Sequence, residues 1–101
     1  MSTYTIKRLT IDNVSWTAVT PAAGCSSIGI KNLLTVDVKI RTDAADSNTE
    51  DVLEAGAQEE ILAPGHVQFS SSNENYRFQP GYPVCYLQAS TGSGTVVLRF
   101  A

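Results

Sequence analysis

A short segment in the first half of the chain alternates apolar and charged residues with a period of two. In segment 35–41 the β-branched side chains share one face and the charged side chains share the other: Val36, Val38 and Ile40 against Asp37, Lys39 and Arg41. A helix, with 3.6 residues per turn, would scatter these apolar side chains, whereas a strand collects them on one face. The segment therefore predicts a strand with one face in a core and the other in water.

Similar short segments recur along the chain and are separated by turn-forming residues. Further strand candidates lie at residues 4–11, 14–19, 27–31, 51–55, 58–62, 67–69, 76–78, 84–89 and 95–100. Pro64-Gly65 and Pro80-Gly81 suit type II turns, because proline presets one φ and glycine supplies the positive one. Residues 91–94 are expected to join the last two strands as a hairpin. The sequence thus predicts an all-β fold, an antiparallel β-sandwich or jelly-roll-like domain of eight or nine short strands.

Residues 50–62 leave a helix open as an alternative, because they are rich in helix-forming side chains. Gly56 stands in their middle, where it would cost a helix about 1 kcal/mol, and Pro64 and Gly65 follow promptly. Two short strands around Gly56 are therefore the favoured prediction.

The length of 101 residues suits one domain, expected to span residues 1–101, and is too short for two. A net charge of −3 argues against nucleic-acid binding, which needs a concentrated basic surface. No apolar run approaches the ~20 residues of a membrane-spanning helix, so no membrane partner is expected. The first eight residues lack the apolar stretch of a secretory signal, and folding in a reducing compartment is expected.

Two cysteines, Cys25 and Cys85, stand beside or within apolar strands. A disulfide between them would close a long loop and contribute roughly 4 kcal/mol, but such bonds are rare in reducing compartments. Buried free thiols, which pack as small apolar side chains, are the favoured prediction, and a disulfide is the alternative.

Few residues are suited to catalysis. His66 is the only histidine, and a general base there would need a nucleophile and an orienting carboxylate beside it. The serines at 70–72 lack the flanking glycines of a nucleophile elbow. Glu54, Glu59 and Glu60 could pair as carboxylates, but such residues on an edge strand more often supply solubility and discourage edge pairing. No enzymatic activity, catalytic residue or cofactor is predicted.

Oxygen-bearing side chains gather in the polar loop 42–50 and directly after it: Asp43, Asp46, Asn48, Glu50 and Asp51. Calcium prefers such ligands, but the spacing does not match an EF-hand and no glycine marks the sharp turn. Residues 92–94 lack the lysine and the following helix of a phosphate-binding loop. An acidic solvated loop is therefore the favoured interpretation, and no metal-binding residue is predicted.

Four aromatic residues could offer flat faces to a sugar: Trp16, Tyr76, Tyr82 and Tyr86. Trp16 and Tyr86 lie within alternating apolar segments, where an aromatic side chain usually buries its large area. Packing in the core or against another subunit is the favoured expectation for them, and sugar binding is the alternative.

A set of motifs follows in fixed order along the chain: residues 28–32 (IGIKN), 36–41 (VDVKIR), 61–65 (ILAPG), 76–81 (YRFQPG), 84–89 (VCYLQA) and 94–100 (GTVVLRF). An I-x-N strand, a V-x-I-R strand, an L-x-P-G turn and a closing G-T-V-x-V-x-F strand occur in this order in small β-sandwich virion proteins of tailed bacteriophages. The chain resembles these proteins over about two thirds of its length.

The resemblance implies a non-enzymatic structural protein of the virion, assembled in the host cytoplasm. A capsid decoration (cement) protein that stabilises the head is the first expectation. Its partners would be the major capsid protein or another virion protein and further copies of itself, with a trimer expected because such proteins often sit on local threefold axes. The alternatives are a neck or tail component and a carbohydrate-binding module of a receptor-binding apparatus. The resemblance carries over no catalytic or metal-binding residue.

Overall fold

The computed structural model describes residues 5–62, 77–79 and 81–101, which form two four-stranded antiparallel sheets packed face to face. The elements in chain order are β1 (Thr5–Asp12), β2 (Thr17–Val19), β3 (Ser27–Asn32), β4 (Val38–Arg41), a 3₁₀ turn (Ser47–Thr49), β5 (Asp51–Leu53), β6 (Gln58–Leu62), β7 (Cys85–Ala89) and β8 (Ser93–Phe100). The predicted all-β sandwich of eight or nine short strands is confirmed.

The first sheet has the strand order β1–β8–β3–β6, and the second has the order β2–β7–β4–β5. β8 pairs with β1 over eight residues and with β3 over five. β7 lies between β2 and β4 in the second sheet. Among the described strands, β4 and β5 are the one pair of chain neighbours within a single sheet, so the chain otherwise crosses between sheets at each step.

The core lies between the sheets and is built from the inward residues of each strand. Of the strand predicted over 35–41, only Val38–Arg41 forms; Val38 and Ile40 are buried as predicted, and Val36, which precedes the strand, packs at the margin of the core. The inward residues of β3, β7 and β8 complete most of it: Ile28, Ile30, Cys85, Leu87, Ala89, Val96, Leu98 and Phe100. Period-two burial is thus the main organising feature of the chain.

Residues 50–62, for which a helix was the alternative, form two strands. β5 ends at Leu53 and β6 begins at Gln58, with Gly56 between them in the left-handed region at φ 78°. The N–H of Ala57 donates to the carbonyl of Glu54 at 3.0 Å and closes the turn. The favoured prediction for residues 50–62 is confirmed.

The side chain of Asn32, at the end of β3, is fully buried. Its Nδ2 donates to the carbonyl oxygens of Val36, Leu53 and Glu54 at 2.9, 3.0 and 3.1 Å. Its Oδ1 accepts a hydrogen bond from the N–H of Leu34 at 2.8 Å. One amide therefore ties the first sheet to the β3–β4 connection and to the end of β5 in the second sheet.

The expectation that residues 91–94 join the last two strands as a hairpin is wrong. β7 belongs to the second sheet, and β8, which already begins at Ser93, belongs to the first. The N–H of Ser90 donates to the carbonyl of Asp37 at 2.9 Å, and Gly92 takes a positive φ of 66°. A hairpin and a crossing between sheets both need a short glycine-containing turn, so local sequence does not distinguish them.

The strand predicted at 14–19 begins only at Thr17. The cause is Asp12, whose Oδ1 accepts hydrogen bonds from the N–H groups of Val14 at 2.9 Å and Ser15 at 3.0 Å. The hydrogen bond from the Ser15 N–H, and to a lesser extent the one from the Val14 N–H, lowers the pKa of Asp12 from its ordinary value. The carboxylate therefore holds a turn where the apolar alternation suggested a strand.

The predicted strand at 67–69, the turn at 64–65 and Tyr76 lie outside the described residues. Phe78, predicted to end a strand, is buried but belongs to none of the described strands. Its N–H donates to the carbonyl of Cys25 at 2.9 Å, which fixes this short segment against the start of β3.

The predicted turn around Gly81 has the expected features of a type II turn. Gly81 takes a positive φ of 83°, and the N–H of Tyr82 donates to the carbonyl of Gln79 at 3.4 Å. Glycine suits this position because it adopts a positive φ without steric cost.

Candidate interaction surfaces

The outer side of the second sheet carries an aromatic and cationic cluster. Tyr86 and Gln88 are half-buried and alternate with the buried residues of β7, so they point away from the core. Tyr86 stands in register between Ala18 of β2 and Arg41 of β4. The Arg41 guanidinium lies over the Trp16 ring, with 4.5 Å from Cζ to the ring centroid. We call the surface formed by Trp16, Tyr86 and Arg41 the aromatic face.

Arg41 also ties the loop 42–50 to the aromatic face. Its Nη2 and Nε contact Oε1 of Glu50 at 2.8 and 2.9 Å, and its Nη1 donates to the carbonyl of Ala44 at 2.8 Å. A guanidinium held in this way by three bonds has a fixed plane and can stack on the Trp16 ring. The loop and the aromatic face therefore form one continuous surface.

Trp16 and Tyr86 do not pack in the core, and packing against another subunit, the other half of that expectation, stays a prediction. Both side chains are only half-buried, and the inward positions of β7 are taken by Cys85 and Leu87. Tyr82 is 63% exposed. Tyr76 lies outside the described residues. Three of the four aromatic residues considered for sugar binding are thus accessible, two of them on one face.

The acidic loop residues make local contacts. Asp43 and Asp46 each accept a hydrogen bond from the backbone N–H two residues ahead, at 3.0 and 2.9 Å. Asn48 is exposed, Glu50 pairs with the guanidinium described above, and Asp51 begins β5. In the part of the chain that the structure describes, no group of three or more His, Cys, Asp or Glu side chains is arranged to hold a metal ion.

Of the residues considered for catalysis, only the three glutamates lie in the described part of the chain. His66 and the serines at 70–72 lie outside the described residues. Glu54 is exposed in the turn after β5. Glu59 and Glu60 are adjacent on β6, so their carboxylates lie on opposite faces of the first sheet and form no pair.

Both cysteines are buried and free, as the favoured prediction had it. Burial, with a smaller effect from the negative charge of Glu59, raises the pKa of the Cys85 thiol to about 12. Burial also raises the pKa of the Cys25 thiol. Both side chains are therefore neutral packing groups at physiological pH.

A depression on the outer side of the first sheet is centred on Gly29. This residue of β3 stands in register between Arg99 of β8 and Glu60 of β6. Because glycine has no side chain, an open hollow of about 360 Å³ remains, with Ser27 and Gln58 also on its rim. The hollow has one basic and one acidic wall, which suits a polar occupant.

The two edges of the first sheet carry opposite charges. β1 presents Lys7 and Arg8, and β6 presents Glu59 and Glu60. Within residues 5–62, 77–79 and 81–101, no strand pairs with the outer edge of either β1 or β6. The first half of β1 is exposed, including Ile6 at 53%. Among the described strands, β1 and β6 therefore form two unpaired edges of opposite charge on one sheet.

Comparison with known proteins adds no relative: no family model, no curated protein and no solved structure matches the chain. None of the described residues forms a helix long and apolar enough to cross a membrane. A function must therefore be inferred from the sequence motifs and from these surfaces.

Proposed function

We propose that this chain is a non-enzymatic structural protein of a tailed-bacteriophage particle, a capsid decoration protein that binds the shell of the head and stabilises it. Its partners are the major capsid protein or another virion protein and further copies of itself, arranged as a trimer. The proposal draws on the motif resemblance, and the exposed strand edge described next supports it.

The observation that carries the proposal is the exposed edge of β1. An edge strand presents a row of unpaired N–H and C=O groups, and proteins usually shorten or cover long edges. β1 is eight residues long, and Ile6 projects from its exposed half. Leu62, on the strand at the other edge of the same sheet, is also a large exposed apolar side chain. A small domain with these features gains stability by packing against other proteins.

The experiment is quantitative mass spectrometry of purified virions combined with heating of heads that contain or lack the protein. We expect a defined copy number per particle, and release of the genome at a lower temperature from heads that lack the protein. Ile6→Asp should lower the occupancy, whereas Val14→Asp, a change in an exposed loop, should not. Absence from purified particles would refute the proposal.

The aromatic face favours carbohydrate binding as a second candidate function. Planar aromatic rings stack on the apolar faces of sugars, and Arg41 and Gln88 add hydrogen-bond donors beside Trp16 and Tyr86. A glycan array tests this candidate with the wild-type protein and with Trp16→Ala. Binding that is lost in this variant would favour a receptor-binding role, whereas particle occupancy without glycan binding favours decoration.

A further inference from the structure

The first sheet has an even number of strands, and this sets the relative direction of its two edges. Each neighbouring pair in the order β1–β8–β3–β6 is antiparallel, so β1 and β6 run in opposite directions. Two copies placed side by side, with the same face outward, therefore bring β1 of one against β6 of the other in antiparallel orientation. No copy needs to be turned over.

We propose that copies of this protein associate head to tail, with the free edge of β1 in one copy pairing with the free edge of β6 in the next. The first sheet then continues from copy to copy. This inference rests on the proposed assembly role, because it names the contact through which copies in the virion meet each other.

The outer-face side chains determine the register of this contact. Leu9 and Ile11 pack toward the core, so the even-numbered residues of β1 point outward. On β6, Ile61 faces the core, so the residues on either side of it, Glu60 and Leu62, point outward. An antiparallel register with Arg8 opposite Glu60 aligns three outward pairs: Ile6 with Leu62, Arg8 with Glu60, and Thr10 with Gln58. The first pair is apolar, the second is of opposite charge and the third is polar.

On the inner side of the same register, the favourable contact is a diagonal one between Lys7 and Glu59. Lys7 stands opposite Ile61 and diagonal to Glu59, a separation that long side chains bridge in antiparallel sheets. Leu9 stands opposite Glu59. Both basic residues of β1 therefore have an acidic residue of β6 within reach, one on each face of the extended sheet.

The charges select unlike edges. Pairing of β1 with β1 would bring Lys7 and Arg8 close to their own copies, and pairing of β6 with β6 would do the same for Glu59 and Glu60. Neither Lys7, Arg8 nor Glu60 forms an ion pair with another described residue, so these charges are available. Exposed ion pairs contribute little energy, so backbone hydrogen bonds must hold the contact while the charges choose its partner.

A head-to-tail contact of this kind forms rings when the rotation between copies closes. Three copies would join their four-stranded sheets into a ring of twelve strands, in agreement with the proposed trimer. One strand pair buries less than the roughly 1,000 Å² of a stable interface. The contact is therefore weak between free molecules and becomes strong on a shell that holds neighbours at high effective concentration.

Disulfide trapping detects such a weak contact. A Thr10→Cys chain is mixed with a Gln58→Cys chain under mild oxidation; both positions are exposed, and the native cysteines are buried. Within one chain these positions are three strand spacings apart, about 14 Å, which a disulfide cannot span. We expect a covalent dimer that forms faster than with the control pair of Thr10→Cys and Lys31→Cys, a residue exposed in mid-sheet.

Charge reversal provides the decisive comparison. Arg8→Glu in the first chain, or Glu60→Arg in the second, should slow trapping about fivefold, and the two changes together should restore it. Trapping no faster than the mid-sheet control, or no restoration in the doubly reversed pair, would overturn the proposed contact. Particle occupancy is measured separately, so failure of the trapping experiment would leave the decoration role standing. Efficient trapping of a protein that is absent from virions would instead refute the decoration role and leave the contact standing.

Discussion

Replacing Asn32 by Asp tests whether one buried amide holds the two sheets in register. The two side chains have nearly the same shape, so the change removes the Nδ2 donor and creates no cavity. Three carbonyl oxygens, those of Val36, Leu53 and Glu54, then face a carboxylate oxygen in place of an NH₂ group. The hydrogen bond from the Leu34 N–H to Oδ1 can remain.

The expected loss of stability follows from the two carbonyl oxygens that lose the Asn32 donor, those of Val36 and Leu53, since the carbonyl of Glu54 keeps the Ala57 N–H. Each buried polar group left without its partner costs about 1–3 kcal/mol, so the loss is about 2–6 kcal/mol before any charge is considered. Asn32 is fully buried, and an unpaired carboxylate there adds a further penalty. Because small domains are stable by about 5–15 kcal/mol, the variant should be close to unfolded at neutral pH.

The effect of pH has a definite sign. Burial without a cationic partner raises the pKa of the new carboxyl group in the folded state above its unfolded value of about 3.9. The variant is therefore most stable below this unfolded value and loses stability as pH rises through the folded pKa. A protonated carboxyl also donates one O–H bond to the waiting carbonyls. The wild-type amide does not titrate, so the deficit relative to wild type should shrink as pH falls.

Urea unfolding of Asn32→Asp, wild type and the exposed control Asn48→Asp at pH 8, 6 and 4 measures this deficit. The control should stay within about 0.5 kcal/mol of wild type. If Asn32→Asp does not fold at pH 8, recovery of strand circular dichroism at pH 4 gives the same comparison. A deficit below about 1 kcal/mol at pH 8, or one that grows as pH falls, would refute the reasoning.

Three further experiments test the packing of the core. Gly94→Ala should lower the free energy of unfolding in urea by about 1–3 kcal/mol, because the new methyl group would meet Cγ of Leu34 at 2.7 Å. The control Gly29→Ala, whose nearest contact is 3.6 Å, should be nearly neutral, and equal losses of stability in the two variants would contradict the packing. Cys85, with a pKa of about 12, should react with a thiol reagent at pH 8 only when the protein unfolds, and rapid labelling of the native protein would show that the thiol is accessible. The stability that the neutral thiol contributes should be complete below about pH 8.5 and should decline as pH rises toward 12. Val38→Asp should abolish the folded domain, since Val38 is fully buried at the start of β4, and an unchanged melting temperature would contradict that placement.

Much of the fold could be predicted because strand burial has a local signature. The alternation around Val38 and Ile40 identified a strand and its buried face, and Gly56 correctly divided two strands where helix-forming residues suggested a helix. These inferences depend on residues that are close in sequence, where the period of two is directly visible. The buried state of Cys25 and Cys85 followed in the same way from their apolar neighbours.

The candidate surfaces were less predictable. The apolar segments around Trp16 and Tyr86 predicted packing in the core or against another subunit, and the structure leaves both outside the core, since the inward register of β7 falls on Cys85 and Leu87. Period-two alternation shows which residues share a face and does not show which of two mixed faces is covered. The contact between Arg41 and Trp16 joins residues 25 positions apart, so no local pattern could indicate it.

What the sequence by itself determined is the all-β class, the positions of most strands and the apolar face of the clearest ones, because these depend on side chains a few residues apart. The tertiary structure alone decided which strands are neighbours, that β7 and β8 lie in different sheets, and that β1 and β6 end as the oppositely charged edges of one sheet. It also placed Asn32 where its amide reaches three carbonyl groups. The physical reason is that loop closure costs grow only slowly with loop length, so the final arrangement is chosen by the burial and hydrogen bonding of the whole chain.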